Sequence, residues 1–415
     1  MNKKLIGIGV VMLVLALLLT LAPACGKGEE VGPGVTPTPG VTPTPTPKAK
    51  ELKIGLLMAF SGAGAVWGVQ AEQGATWAVD KINKAGGVKV GTDTYMITLD
   101  KGDTKFVGSV AATEATRMVT QGIHYISGPV IEFAAIEPIL TAGKAFMSCS
   151  GTAMPLGPDH PYNIQPALPA KFWYPTFWDQ FYKFHPEVKT VAIVSPDSTA
   201  YDVHTQVSKD LHAAHGREVV IVKRYTALST DYYPILTPVV AKNPDVIDFD
   251  GGAHGDIDLQ LKQARELGFK GLLAGPAYGD PTSAIQLAGA RFAEGFATND
   301  PDYGSTLYPE VVRQLYAEFQ QRYPGSALAL TTVIHYCNIG FYKQAIEKAG
   351  SIDPDAVMKV LDDPNFTYEA FGVPGYKLGG IQTYGIRRIF EMEVGYSEVI
   401  NGVKVMKSRQ SCLVP

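Results

Sequence analysis

Along this chain, short unbroken apolar runs alternate with stretches whose apolar residues recur every three or four positions. Residues 52–59 (LKIGLLMA) form the first run. It is too short for a helix and too continuous for a half-exposed strand, so it predicts a strand buried on both faces, as in a parallel sheet. A turn follows at 60–64, and Ala71, Ala75, Ala78, Val79 and Ile82 then mark one face of a helix that Gly86-Gly87 ends. The pattern repeats with strands at 95–100, 122–127 and 145–149 and helices over 107–119 and 134–141. It restarts at 190–195 (TVAIVS). There the spacing predicts helix 202–214, strand 218–222, helix 234–241 interrupted by Pro238, strand 245–250, helix 256–267 and strand 271–274. Helices over 308–323 and 328–349 follow, then strands over 381–406 with Asn401-Gly402 as a hairpin turn. Alternation of this kind predicts an α/β fold with doubly wound parallel sheets, and two such blocks predict two similar lobes.

The first fifty residues break this grammar. Lys3 and Lys4 precede an uncharged stretch, 5–22, of a length between a signal core and a membrane span. Small residues then lead to a cysteine in Leu21-Ala22-Pro23-Ala24-Cys25-Gly26. Two readings stand: residues 1–24 as a signal peptide, or an uncleaved membrane helix. Either one puts the rest of the chain outside the cytoplasmic membrane. Residues 31–47 (VGPGVTPTPGVTPTPTP) carry no charge and nothing larger than valine, so they cannot build a core. Thr-Pro alternation predicts an extended tether, 25–50, ahead of the folded body.

Composition narrows the function. Of 415 residues, 46% are hydrophobic, which excludes wholesale disorder; the net charge of −4 argues against a nucleic-acid binder. The first two of the Gly62, Gly64 and Trp67 positions resemble a dinucleotide loop, but the tryptophan stands where close helix packing needs the third glycine. No Walker A, G-x-S-x-G or H-E-x-x-H motif occurs, and the eight histidines show no metal-ligand spacing. The sequence therefore predicts no catalytic residues, no cofactor and no metal. His335, on a helix, reads as structural. Four cysteines exclude a disulfide scaffold, although a Cys149–Cys337 pair is conceivable.

In order and spacing, a set of short pieces resembles the substrate-binding proteins of bacterial ABC importers, in the branched-chain amino acid (Leu/Ile/Val-binding) branch. They are Ile54-Gly55, Ser61-Gly62 and Gly68, residues 71–83 with Gly86-Gly87, Asp100 with Asp103-Thr104, and Ser127-Gly128-Pro129. Residues 147–156 (MSCSGTAMPL), Tyr201-Asp202, Gly251-Gly252, 264–268 (ARELG), Gly275-Pro276, Gly379-Gly380 and Thr383-Tyr384-Gly385 continue the match. Residues 22–25 resemble the lipobox, which implies lipidation at Cys25 and a mature charge of −6 from 34 basic and 40 acidic residues. The resemblance implies the type I periplasmic binding protein fold. Two lobes, 52–170 with 299–375 and 171–298 with 376–415, would be joined by a three-crossover hinge. It implies a monomer outside the cytoplasm that hands a small molecule to an ABC permease and its ATPase subunits. A ligand-sensing lobe for signalling and an extracytoplasmic enzyme remain as alternatives.

The resemblance also places a cleft. Thr152 matches the family's carboxylate-binding threonine, with Ser150 two residues before it; each also reads as a turn hydroxyl. The loop 128–133 (GPVIEF) lacks the family's serine. Glu132 or Phe133 lies near that slot, where Glu132 would repel a carboxylate unless it points away. Trp67 reads as a wall against the ligand or as a core residue. Tyr201 aligns with a tyrosine that closes over the ligand. Ala253 stands where relatives often carry an aromatic, with His254 beside it. Ala277 stands where amino acid binders carry the acid that pairs with the ammonium. Tyr278 and Asp280 are its neighbours, Asp280 reading either as a substitute acid or as a turn residue. The ligand is then a branched-chain amino acid or a related amide, carboxylic acid or aromatic acid.

Overall fold

The computed structural model describes residues 49–148, 151, 154–198 and 201–415. The expected signal segment, Cys25, the tether, Cys149, Ser150 and Thr152 lie outside the described residues.

Two sheets organise the body. In the first, β1 (Lys50–Met58) runs parallel to β3 (Asp93–Asp103) and β4 (Tyr125–Ser127). Then β5 (Phe146–Ser148) and β6 (Asn163–Ile164) continue the parallel edge, and β2 (Val88–Val90) pairs antiparallel with β3. The second half of β1 is fully buried, as its unbroken apolar run predicts. Helices α1 (Ala65–Lys84), α2 (Gly108–Thr120) and α3 (Phe133–Ala142) connect these strands.

The second sheet has seven strands. Its parallel part comprises β7 (Thr190–Pro196), β8 (Glu218–Tyr225), β9 (Val246–Phe249), β10 (Leu272–Gly275) and β11 (Phe296–Thr298). An antiparallel hairpin, β15 (Met392–Ile400) and β16 (Val403–Cys412), closes the edge beside β11. Asn401 and Gly402 turn that hairpin with φ of 54° and 74°, the positive pair that a tight hairpin turn needs. Helices α4 (Ala170–Phe184), α5 (Asp202–Ala214), α6 (Tyr233–Ala241) and α7 (His254–Glu266) flank this sheet, followed by the short α8 (Thr282–Ala284) and α9 (Ala290–Ala293). α6 continues through Pro238.

Helices α10 (Glu310–Arg322), α11 (Leu330–Ala349) and α12 (Pro354–Asp362) return to the first lobe. Tyr308, Val312, Phe319, Phe341 and Ile346 enter the same buried cluster as Ile54, Ala75 and Trp77. A small sheet, β12 (Thr367–Ala370), β13 (Val373–Gly379) and β14 (Ile389–Phe390), packs there too through Leu378 and Phe390. The stretch 381–406, expected to be strands throughout, begins instead with a one-turn helix, α13 (Ile381–Tyr384), between Gly380 and Gly385, both at positive φ.

The chain crosses between lobes three times, after β6, after β11 and between β13 and β15. The first and third of these crossings are tied together. The Gln165 N–H donates to the Arg388 carbonyl at 2.7 Å, and the Phe390 N–H donates to the Gln165 carbonyl at 3.0 Å. Arg388 is 1% exposed; its Nε donates to the Pro161 carbonyl at 3.0 Å, and its guanidinium meets Asp362 at 2.9 Å. Cys337 and Cys412 are free thiols, and Cys149, the partner conceivable for Cys337, lies outside the described residues. His335 is fully buried against the Ser127 hydroxyl at 2.7 Å, and burial lowers its pKa to about 3, as fits a structural histidine.

Candidate functional site

In open α/β sheets, ligands bind beyond the carboxyl ends of the parallel strands. In the first lobe those ends are 59–62, 104–106 and 128–132. Asp103, at the end of β3, organises them. Its carboxylate accepts the backbone N–H of Phe60 at 2.9 Å, Ser61 at 3.2 Å and Lys105 at 3.0 Å, and the Ser61 hydroxyl at 2.6 Å. Burial pushes this carboxyl up, but the Ser61 hydroxyl and the three amides outweigh it and hold the pKa below the ordinary value. The pinned turn delivers the start of α1 against β1. A Cβ at Gly68 would sit 2.1 Å from the Ala59 carbonyl oxygen, so only glycine allows this approach. Trp67 precedes that contact. It is 38% exposed and stacks on Phe106 at 5.5 Å and 29°. It is thus an exposed aromatic platform at the strand ends rather than a core tryptophan.

Glu132 points inward. It is buried, accepts the Thr104 hydroxyl, and takes the Ile131 N–H at 3.0 Å. Both of its oxygens are engaged within the lobe. Phe133 begins α3.

In the second lobe the strand ends are 197–201, 250–254 and 276–280. Tyr201 caps α5, and its N–H donates to the Ser198 carbonyl at 3.0 Å. Its ring lies against Gly251, where a Cβ would approach Cε1 to 2.5 Å. Burial raises its phenol pKa, opposed by a hydrogen bond from the Gly252 backbone. His254 starts α7 and lies flat on Tyr278, with centroids 4.2 Å apart and planes within 15°. Burial lowers its pKa, so near neutral pH it is an uncharged ring. Tyr278 itself is 1% exposed. Its hydroxyl is directed into the lobe, donating to Asp258 and meeting the Ser283 hydroxyl at 2.6 Å, so it supports His254 from below.

Asp280 is a turn residue. It accepts the Thr282 N–H at 2.9 Å and hydroxyl at 2.6 Å, and Lys404 lies 3.4 Å away. Burial raises this carboxyl, yet Lys404 and Thr282 together hold it below the ordinary value. Lys404 also meets Asp300 at 2.8 Å. Ala277 packs against the second lobe's core.

The structure thus brings His254 and Tyr278 together as one stacked pair, with Tyr201 on the neighbouring loop and Trp67 on the first lobe. Sequence reasoning missed the organising role of Asp103 and the partner ring Phe106, which takes φ of 62°. The signal for Asp103 was its place at a strand end, directly followed by a hydroxyl residue.

The family model for periplasmic binding proteins matches residues 51–384. The chain belongs to that family. It is a family of solute-binding proteins, not of enzymes. Among curated relatives, the Leu/Ile/Val-binding protein BraC3 of Rhizobium johnstonii is 27% identical over 362 residues, covering 83% of this chain and 92% of the relative. A leucine-, isoleucine-, valine-, threonine- and alanine-binding protein of Pseudomonas aeruginosa is 24% identical over 75% of this chain and 82% of its own. The crystal structure of LivJ from Streptococcus pneumoniae, solved with isoleucine, superposes with a TM-score of 0.70 at 20% identity, covering 88% of this chain and 100% of that one. Together with the topology above, these establish the type I periplasmic binding protein fold.

Proposed function

We propose that this protein is the extracytoplasmic solute receptor of an ABC importer. It captures a branched-chain amino acid, or a related small amide, carboxylic acid or aromatic acid, by closing its two lobes and delivers it to the permease. The observation that carries this reading is the presence of aromatic surfaces at the strand ends of both lobes, Trp67 on Phe106 in one and His254 on Tyr278 in the other, with Tyr201 on the neighbouring loop. Closing such surfaces over an apolar body excludes water, and nearby hydroxyls and amides hold the polar end. Residues 52–170 with 299–375 form the first lobe in this reading, and 171–298 with 376–415 the second, although Leu378 and Phe390 on the third crossing pack into the first lobe's core. Ser150 and Thr152 supply carboxylate-binding groups on the evidence of the family pattern. Neither a signalling lobe nor an extracytoplasmic enzyme is favoured by the relatives.

One observation narrows the ligand. On the loop after β10 the carboxylate nearest Ala277 is Asp280, and Thr282 and Lys404 already hold it. An α-ammonium placed there would displace Lys404 or stay unpaired, and an unpaired buried ammonium costs several kcal/mol. This favours a ligand with an apolar or aromatic body and a carboxylate or amide end. A thermal-shift screen across amino acids, amides and aromatic acids tests both levels. A ligand that stabilises the fold without being turned over supports the receptor reading. Tight binding of leucine or valine overturns the narrower one.

Anchoring follows from Cys25 in this reading, with lipid on its thiol and 25–50 as tether. Cys25→Ser is expected to release the protein from membranes, and continued retention would favour an uncleaved helix.

A further inference from the structure

Beside the three crossovers the structure forms a partly open cavity of about 70 Å³. Every crossover contributes to its wall: Pro166 from the first, Tyr303 and Tyr308 from the second, and Met392 and Glu393 where the third enters β15. Cys337 on α11 and Ala370 on β12 line the first-lobe side. Most of the wall is apolar. Burial pushes the Cys337 thiol up to about 12, so it remains neutral, and the Tyr308 phenol is raised well above its usual range, first by burial and then by the charge of Glu393.

Two polar atoms here lack protein partners. Tyr308 is 5% exposed, and its Oη has no hydrogen-bond partner. Glu393 binds Arg409 and the Tyr376 hydroxyl, at 3.2 Å, through Oε1, while its buried Oε2 is unpartnered. Buried polar atoms are ordinarily satisfied, so such a pair in an apolar chamber marks a place for a ligand group that both donates and accepts. A single hydroxyl does both, accepting from Tyr308 and donating to Glu393.

We propose that this cavity is a second binding site, for a small neutral molecule with an apolar body and one hydroxyl, and that its occupancy biases the hinge. At roughly 10–15 Å³ per water-sized occupant the space takes about five to seven heavy atoms, the size of phenol. Because its wall is drawn from all three crossovers, a change in lobe angle changes the chamber. An occupant therefore has a different affinity for the open and closed forms, which is the requirement for coupling. The coupling rests on the hinge closure proposed above; the binding does not.

Phenol is the probe, titrated into the mature protein by calorimetry and followed in parallel by small-angle scattering. The expected result is one saturable site, with the radius of gyration changing at the same midpoint. Tyr308→Phe should weaken phenol about fivefold to tenfold with the fold intact, and Ala370→Leu, which fills the chamber, should abolish it. If neither variant changes phenol binding, or phenol does not bind, the site is refuted. Binding with unchanged scattering refutes the coupling, and the thermal-shift screen for the cleft ligand is unaffected by either failure.

Discussion

The contact between Gly251 and Tyr201 offers a direct test of how the second lobe presents its cleft surface. Gly251 has φ of +85°, and a Cβ there would lie 2.5 Å from Cε1 and 2.9 Å from Cδ1 of Tyr201. Gly251→Ala therefore has two separable costs. The backbone strain of a side chain at positive φ is about 1–2 kcal/mol. The steric cost forces the ring edge back by about 0.9 Å, from 2.5 Å to the 3.4 Å at which ordinary contact begins. Such a shift takes the phenol from the Gly252 amide, worth about another 1 kcal/mol. The sum predicts a stability loss of about 2–3 kcal/mol in urea unfolding. It also predicts at least tenfold weaker ligand binding, since about 1.4 kcal/mol corresponds to a factor of ten. A double-mutant cycle separates the parts. In a Tyr201→Ala background, Gly251→Ala should cost only the backbone strain, leaving a coupling energy of about 1 kcal/mol. If the two substitutions add without coupling, the ring does not rest on Gly251. If Gly251→Ala leaves ligand affinity unchanged, Tyr201 does not shape the cleft.

Other consequences are equally open to measurement. A Cβ on Gly74 would meet the Thr332 carbonyl oxygen at 2.0 Å, where α1 crosses α11, whereas one on Gly340 of α11 meets nothing closer than 4.0 Å. Gly74→Ala should lose about 1–3 kcal/mol by overpacking, while Gly340→Ala should gain up to about 1 kcal/mol of helix propensity; equal melting temperatures would defeat the argument. Asp103→Ala removes an acceptor from four donors and should cost about 1–3 kcal/mol at pH 7. Because the folded pKa of Asp103 is depressed, that contribution is present above its unfolded value and lost as pH falls, so the deficit should shrink in acid. Asp250 runs the other way: burial, reinforced by Asp248, raises it to about 7, so the folded state holds a proton that the unfolded state releases near pH 4. Its contribution is full below that pH and lost as pH rises through 7, so Asp250→Asn should gain stability relative to wild type between pH 5 and 8, by up to a few kcal/mol. A pH-independent difference would refute it.

Much of the scaffold was legible because parallel strands buried on both faces leave a plain trace. The run at 52–59 and TVAIVS at 190–195 fall on β1 and β7, and Asn401-Gly402 turns the β15–β16 hairpin. Helix α4 left no such trace. Its sequence, AKFWYPTFWDQFYKF, is aromatic on several sides with a proline inside, because Tyr174, Phe177, Trp178 and Phe181 are all fully buried. Only a narrow stripe of this helix, Lys171, Asp179 and Lys183, is exposed, too thin a polar face to give the sequence a clear period. The antiparallel strands β12 and β13 were invisible for a different reason: β12 is four residues long, β13 carries a proline and two glycines, and neither has an unbroken apolar run. For the cleft, the sequence indicated which loops to examine but not which way the side chains turn. Glu132 and Tyr278 both stand on cleft loops, yet their polar atoms are used internally, by Thr104 and Ile131 in one lobe and by Asp258 and Ser283 in the other. Orientation of that kind depends on partners distant in sequence.

Those internal partners bear on how the receptor uses binding energy. Each cleft loop is fixed from behind: Asp103 pins the 60–61 turn and Lys105, Glu132 holds Thr104, and Asp258 holds the tyrosine beneath His254. Side chains so held have little rotamer entropy left to lose when a ligand arrives, and that loss otherwise costs about 0.5–1.5 kcal/mol for each immobilised chain. The remaining cost lies in the change of angle between lobes. The crossovers at Gln165 and 388–390 are hydrogen-bonded to each other, so they move as one strap rather than as two independent linkers. Cutting that strap should therefore alter affinity through the hinge. Gln165→Pro removes the N–H that reaches Arg388 together with the side chain that donates to the Gly151 and Ala167 carbonyls, and Gln165→Ala, which removes only the side chain, is its control; the difference between the two variants should appear in the closing rate and in scattering of the free protein.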